Sequence, residues 1–108
     1  MTTYSNTSYA AKNVGTSASI VISSLASGTV AISSCIVSNT TNAPITTSVY
    51  ITRSSVNYYL VYQATIPVGG SLECMQGTRA VMITGDALAV VNSVASSGDV
   101  WVSALTAI

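Results

Sequence analysis

The chain contains no histidine and no phenylalanine, and only 6% of its 108 residues are charged. Three are basic (Lys12, Arg53, Arg79) and three acidic (Glu73, Asp86, Asp99), so the net charge is zero. Ordinary soluble domains carry about 25% charged residues. A nucleic-acid binder needs a basic footprint whose phosphate contacts release counterions, and three cations cannot make one. Without histidine the usual general base near neutral pH is missing. The Cys/His clusters that hold zinc are missing as well. No apolar run approaches the roughly 18 residues of a membrane span. The opening "MTTYSNTSYAAKNVG" has neither a basic n-region nor an apolar h-region. The expectation is a protein made in the cytosol that stays there, or leaves by a route needing no signal.

The remaining candidates for chemistry are few. Cys35 and Cys74 lie far apart in sequence. A disulfide requires them to be neighbours in space, and free cysteine is commonly a small buried apolar residue, so two buried thiols are expected. No G-x-S-x-G elbow occurs. A Ser–Lys dyad would have to recruit Lys12, read here as an exposed, solvated side chain. Asp86 and Asp99 each follow a glycine, in "TGDAL" and "SGDVW". That is turn usage, in which Asp bonds nearby backbone amides, rather than a glycosidase pair. "NTS" at 6–8 and "NTT" at 39–41 fit the glycosylation pattern, but chance matches are expected in a chain this rich in Ser, Thr and Asn. No enzyme activity, metal or cofactor is expected.

What the chain does have is hydrophobicity, 49% of residues, arranged with period two and rich in β-branched residues that suit a pleated sheet. Eight segments alternate in this way: 18–25, 28–41, 43–55, 56–68, 70–76, 78–84, 86–95 and 99–108. In the second, Val30, Ile32 and Ile36 fall on one face, and Cys35 and Val37 on the other. In the third, Ile45, Val49 and Ile51 point inward. In the fourth, Tyr58, Leu60, Tyr62, Ala64 and Ile66 share one face, while Asn57, Tyr59, Val61, Gln63 and Thr65 share the other. Turn signals separate the segments, "PVGGS" among them. No helical period follows Gly69-Gly70, so this is read as a hairpin turn supplying positive φ, not a phosphate loop. The fold class is therefore all-β, a single antiparallel β-sandwich of about 7–8 strands, Ig-like or jelly-roll-like. The domain spans 16–108, with 1–15 as an N-terminal arm or edge segment.

A nearly uncharged surface suits a subunit packed against copies of itself or a large partner, since freely diffusing domains keep net charge away from zero. Aromatics that anchor interfaces are clustered in "YYLVY", with Trp101 alone in "DVWVS". They serve either the core or an interface. Tyr59 beside Arg53 on an outer face is the best interface candidate. Tyr4 and Tyr9 are candidate anchors if the arm reaches a neighbour.

Three stretches then combine: "NVGTSASIVISSL" near the start, "YYLVYQATIPVGGSLECMQG" in the middle, and "GTRAVMITGDALAVVNSVASSGDVWVSALTAI" at the end. Over residues 9–108 the chain resembles a family of small tailed-bacteriophage virion proteins. The resemblance implies a β-sandwich that is a structural part of a virion, with no catalytic residues to carry over. The expected function is capsid decoration or cement, binding the major capsid protein or other virion proteins, as a homo-oligomer and specifically a trimer. Assembly would take place in the host bacterial cytoplasm. The alternatives are a neck, tail or baseplate subunit, or, in a different class, a carbohydrate-binding module for host attachment built on Tyr59, Asn57 and Gln63. The two cysteines and the Tyr-rich central segment depart from the family pattern. No nucleic acid and no membrane is expected as a partner.

Overall fold

The structure, a computed structural model, describes residues 4–23, 25, 28–75 and 79–107, without the side chains of Tyr4 and Ala107. Nine strands follow in order: β1 (Tyr4–Val14), β2 (Ser19–Ile22), β3 (Thr29–Asn39), β4 (Ile45–Arg53), β5 (Val56–Ile66), β6 (Ser71–Glu73), β7 (Ala80–Met82), β8 (Ala87–Asn92) and β9 (Gly98–Ala107). They form two antiparallel sheets. One has the order β1-β9-β3, with β6 and β7 both on the far edge of β3; the other is β2-β8-β4-β5. Ser71–Glu73 face Ile36–Ser38, and Ala80–Met82 face Val30–Ile32, so β6 and β7 act as one interrupted edge strand. Counted so, there are eight strand positions, paired first with last, second with seventh, third with sixth and fourth with fifth. That is a long hairpin rolled on itself, the jelly roll. The pairing decides between the two sandwiches left open by the sequence.

The core lies between the sheets. Val30, Ile32, Cys35, Val37, Val100 and Val102 from one sheet meet Ile45, Val49, Ile66, Leu88 and Val90 from the other. Among them, β-branched residues predominate because they fill a pleated, buried face with little rotamer entropy to lose. Within the described residues, 4–14 form an integral edge strand rather than a detached arm. β1 pairs with β9 from Tyr4↔Ala107 to Ala11↔Val100 and ends on the buried Val14.

Two irregularities overturn the simple alternation. In β3 the register against β9 shifts between Ile32 and Ser34. A bulge inserts one unpaired residue and reverses the faces beyond it. Val30, Ile32, Cys35 and Val37 are consequently all buried, while Ile36 turns outward. In β5 the register against β4 shifts twice, between Thr47 and Val49 and between Val49 and Tyr50, and Gln63 has φ 48°. Tyr50 faces Tyr59, but Val49 faces Val61, leaving Leu60 as the extra residue. Val61 therefore packs on the core, and Tyr59 and Tyr62 come to one face.

"PVGGS" is a tight turn: the Gly70 amide donates to the Pro67 carbonyl at 3.0 Å, with Gly69 at φ 70°. It is not a hairpin, however, because β5 and β6 belong to different sheets. It is a corner crossing the sandwich. Buried Asn39 fixes it, donating from Nδ2 to the carbonyls of Ala43, Ile66 and Pro67 at 2.9, 3.1 and 3.2 Å. Its Oδ1 accepts from the amide and hydroxyl of Thr41, so one side chain joins two connections.

Candidate functional site

All three carboxylates are engaged in holding the backbone. Asp86 sits in the turn before β8 with its side chain 1% exposed. Its Oδ2 accepts from the Ile83 amide at 3.0 Å, which is the nearby-amide bond expected of a turn Asp. Arg53, at the end of β4, grips it in a fork: Nε lies 2.9 Å from Oδ1, and an Nη lies 2.6 Å from Oδ2. Such paired bonds match the geometry of guanidinium to carboxylate. Arg53 beside it holds the Asp86 carboxyl below the usual carboxylate range, partly opposed by burial, and Asp86 in turn raises the pKa of Arg53.

Asp99 differs from the turn expectation. It lies on β9 and reaches across to β1, accepting from the Asn13 amide at 3.1 Å, where Asn13 takes φ 56°. Its other oxygen lies 3.4 Å from Lys12, an exposed pair rather than a free lysine. Exposed pairs of this kind contribute little. Glu73 accepts from the Ser34 hydroxyl at 2.9 Å and from the amides of Cys35 and Met75 at 3.2 and 3.1 Å. It thereby ties the β3 bulge to the end of β6. Among the described residues, no group of three or more Cys, Asp or Glu is arranged to hold a metal ion.

Among the described residues, exposed apolar side chains include an aromatic group on each outer face of the sandwich. On the four-stranded sheet, Tyr59 packs against Tyr50 with ring centroids 5.2 Å apart, and against Tyr62 edge to face at 4.9 Å. Tyr62 is 64% exposed, and β5 also leaves Val56, Tyr58 and Leu60 exposed. This 11-residue strand is a sheet edge and carries no charge. On the opposite sheet Trp101 is 55% exposed, between Ala10 of β1 and Ile36 of β3. Aromatics and Ile exposed in contiguous groups mark contact surfaces more often than scattered single residues do.

The four interface candidates separate. Tyr59 lies in the exposed aromatic group. Arg53 does not join it: Arg53 pairs with Val56 and Tyr59 with Tyr50, three positions apart along β4 and on opposite faces. Arg53 is committed to Asp86. Tyr9, opposite Val102, is half-buried and packs against the core. The side chain of Tyr4 lies outside the described residues. Tyr62 and Trp101 belong to the aromatics that the sequence leaves open between core and interface, and both are exposed. Only the bulge at Leu60 brings Tyr62 to the face of Tyr59, and bulges leave no mark on alternation. Trp101 was legible in principle, because the valines on either side of it claim the inner face.

Cys35 and Cys74 are both free and buried, as expected, and they are also neighbours. The Cys74 amide donates to the Cys35 carbonyl at 2.8 Å.

No protein-family model matches the chain, and no curated protein matches it. Among solved structures it is similar to one of Bacillus endospore appendages, described as a novel family of disulfide-linked pili, at a TM-score of 0.60 and 13% identity, covering 98% of this chain and 89% of that one. It also shows a looser likeness to structures of infectious bursal disease virus. The Gt strain gives a TM-score of 0.38 at 8% identity, with 98% of this chain matched to 35% of that one. The Gx strain gives 0.41 at 10% identity, with 96% matched to 32%. The chain thus spans about a third of the viral chains, and those two likenesses are too loose to bear on fold or function. The first runs through nearly the whole of both chains and shows a shared sandwich fold.

Proposed function

We propose that this chain is a structural subunit of a tailed-phage virion, and most concretely a decoration or cement protein that binds the assembled capsid and stabilises it. The observation that carries the reading is the pair of exposed apolar groups on opposite outer faces, the uncharged Tyr50–Tyr59–Tyr62 cluster and Trp101 with Ile36. A subunit with two such faces can bridge two neighbours, and burying aromatic rings in both contacts adds free energy to the finished shell. A surface without net charge does not repel copies of itself. The fold shared with an appendage protein that forms pili supports a role in assembly. In this reading the partner is the major capsid protein, the subunit is a homo-oligomer arranged as a trimer about a local threefold axis, and assembly takes place in the host cytoplasm.

The two bulges in β5 bear on how contact is made. They twist the edge away from straight strand addition, so the partner meets side chains rather than the backbone ladder. The tyrosine rings stand at 56° and 82° to one another. Tilted rings present a knobbed surface suited to a protein partner, rather than a flat shelf for a sugar ring.

The test is the copy number of the chain in purified virions, by quantitative mass spectrometry against the major capsid protein, with Tyr62→Ala as the companion variant. A ratio near one to one and a loss of most incorporation in the variant are expected. A few copies against hundreds would move the protein to the neck, tail or baseplate. Absence from virions would overturn the reading altogether.

A further inference from the structure

The geometry points to Cys35 and Cys74 as an internal redox pair that closes to a disulfide across the β3–β6 edge. The β6 register pairs Ile36 with Glu73, Val37 with Leu72 and Ser38 with Ser71. Continued by one position, it sets Cys35 opposite Cys74, and the 2.8 Å bond from the Cys74 amide to the Cys35 carbonyl shows that the strands still touch there. Directly opposed residues of an antiparallel pair have Cα atoms about 4.5–5.5 Å apart, within the range a disulfide spans without backbone movement. Both side chains enter the same core, with Cys35 0% and Cys74 8% exposed. Glu73 clamps the arrangement, since its carboxylate receives the Cys35 amide that would otherwise be left unpaired as β6 ends. Hydrogen bonding to Cys74 and burial keep the Cys35 thiol protonated well above its ordinary range. Thiolate is the reactive form, so the buried dithiol persists in the folded chain and oxidises when the chain around Cys74 opens or while it folds.

The oxidant is a small disulfide of the glutathione class. The Cys74 thiolate attacks one sulfur of the small disulfide, forming a mixed disulfide and releasing one glutathione thiolate, which takes up the proton lost from Cys74. The Cys35 thiolate then attacks Sγ of Cys74, displacing the second glutathione, which takes up the proton lost from Cys35. Two protein thiols are oxidised, and one glutathione disulfide is reduced to two thiols. The bond closes a loop of about 40 residues containing the whole β4–β5 hairpin, so it constrains the unfolded chain strongly. Such a bond stays open in a reducing cytosol and closes outside it.

The test refolds the reduced full-length chain from denaturant into a mixture of reduced and oxidised glutathione, so that access to the core is not limiting. The folded fraction is then alkylated under denaturing conditions. Arg53 lies between the two cysteines and Arg79 beyond them, so trypsin without reductant separates peptides 13–53 and 54–79 unless the bond joins them. The expected result is the joined peptide pair, an intact mass lower by about 2 Da, no alkylation, and a Tm at least about 5 °C above the reduced form that falls back on adding reductant. Two alkylated thiols, glutathione retained on either cysteine, covalent dimers, or a joined form that melts below the reduced one would each overturn the proposal.

Discussion

Tyr59 and Tyr62 lie three residues apart on one strand, yet their rings meet edge to face with centroids 4.9 Å apart. In a regular strand, residues three apart point to opposite faces. The contact exists because Leu60 is an extra residue against β4, which resets the alternation before Tyr62. An exposed aromatic group has thus been assembled by one irregularity of the backbone.

Deleting Leu60 should therefore be tolerated. The deletion removes the residue that has no partner and leaves Tyr50↔Tyr59 and Val49↔Val61 paired as they are. Tyr62 then follows two residues after Tyr59 and keeps its face. Chemical denaturation should show a loss within about 1 kcal/mol, because the removed side chain is at the surface. Deleting Ala89 instead should prevent folding, since β8 is paired on both sides and a one-residue slip there turns its core residues outward.

The Arg53–Asp86 fork should give stability an acid limb. The folded-state pKa of Asp86 is depressed, whereas in the unfolded chain it returns to about 3.9. The unfolded state therefore binds more protons than the folded one between those two values. The stabilisation is fully present above the unfolded pKa and is lost as pH falls through the folded pKa. Thermal melts from pH 7 downward should show Tm falling below about pH 5. In Asp86→Asn, Tm at pH 7 should be lower by about 5 °C, and the fall with acid should be shallower. An unchanged acid limb in that variant would assign it to other carboxylates.

Gly98 should not accept a side chain, although its backbone conformation would. A Cβ there would stand 2.6 Å from Nδ2 of Asn92 and 2.8 Å from the Ser38 carbonyl. The carbonyl is fixed within β3, and Asn92 is buried, with Nδ2 donating to the Val14 carbonyl at 3.4 Å. Gly98→Ala should cost roughly 1–3 kcal/mol by overpacking, read as a lower denaturation midpoint. Gly69→Ala probes a different cause, since that site has open space but φ 70°. It should cost about 1 kcal/mol through backbone strain alone.

The amino-acid sequence by itself determined the class of structure. Its eight alternating segments match β2 to β9, because alternation is the direct signature of a sheet with one buried face. It also determined how few charges the surface can carry and that no histidine is among them, since composition needs no coordinates. Which residues share a face was decided by tertiary structure at the points where bulges intervene. Ile36 and Cys35 exchange places after the β3 bulge, and Tyr62 joins Tyr59 after Leu60. A bulge depends on how a strand fits its neighbour, a non-local relationship that no local period records. The same holds for pairing. Arg53 finds Asp86, Asp99 finds Asn13, and Cys35 finds Cys74 across separations of tens of residues, because the rolled hairpin of the jelly roll brings early strands beside late ones.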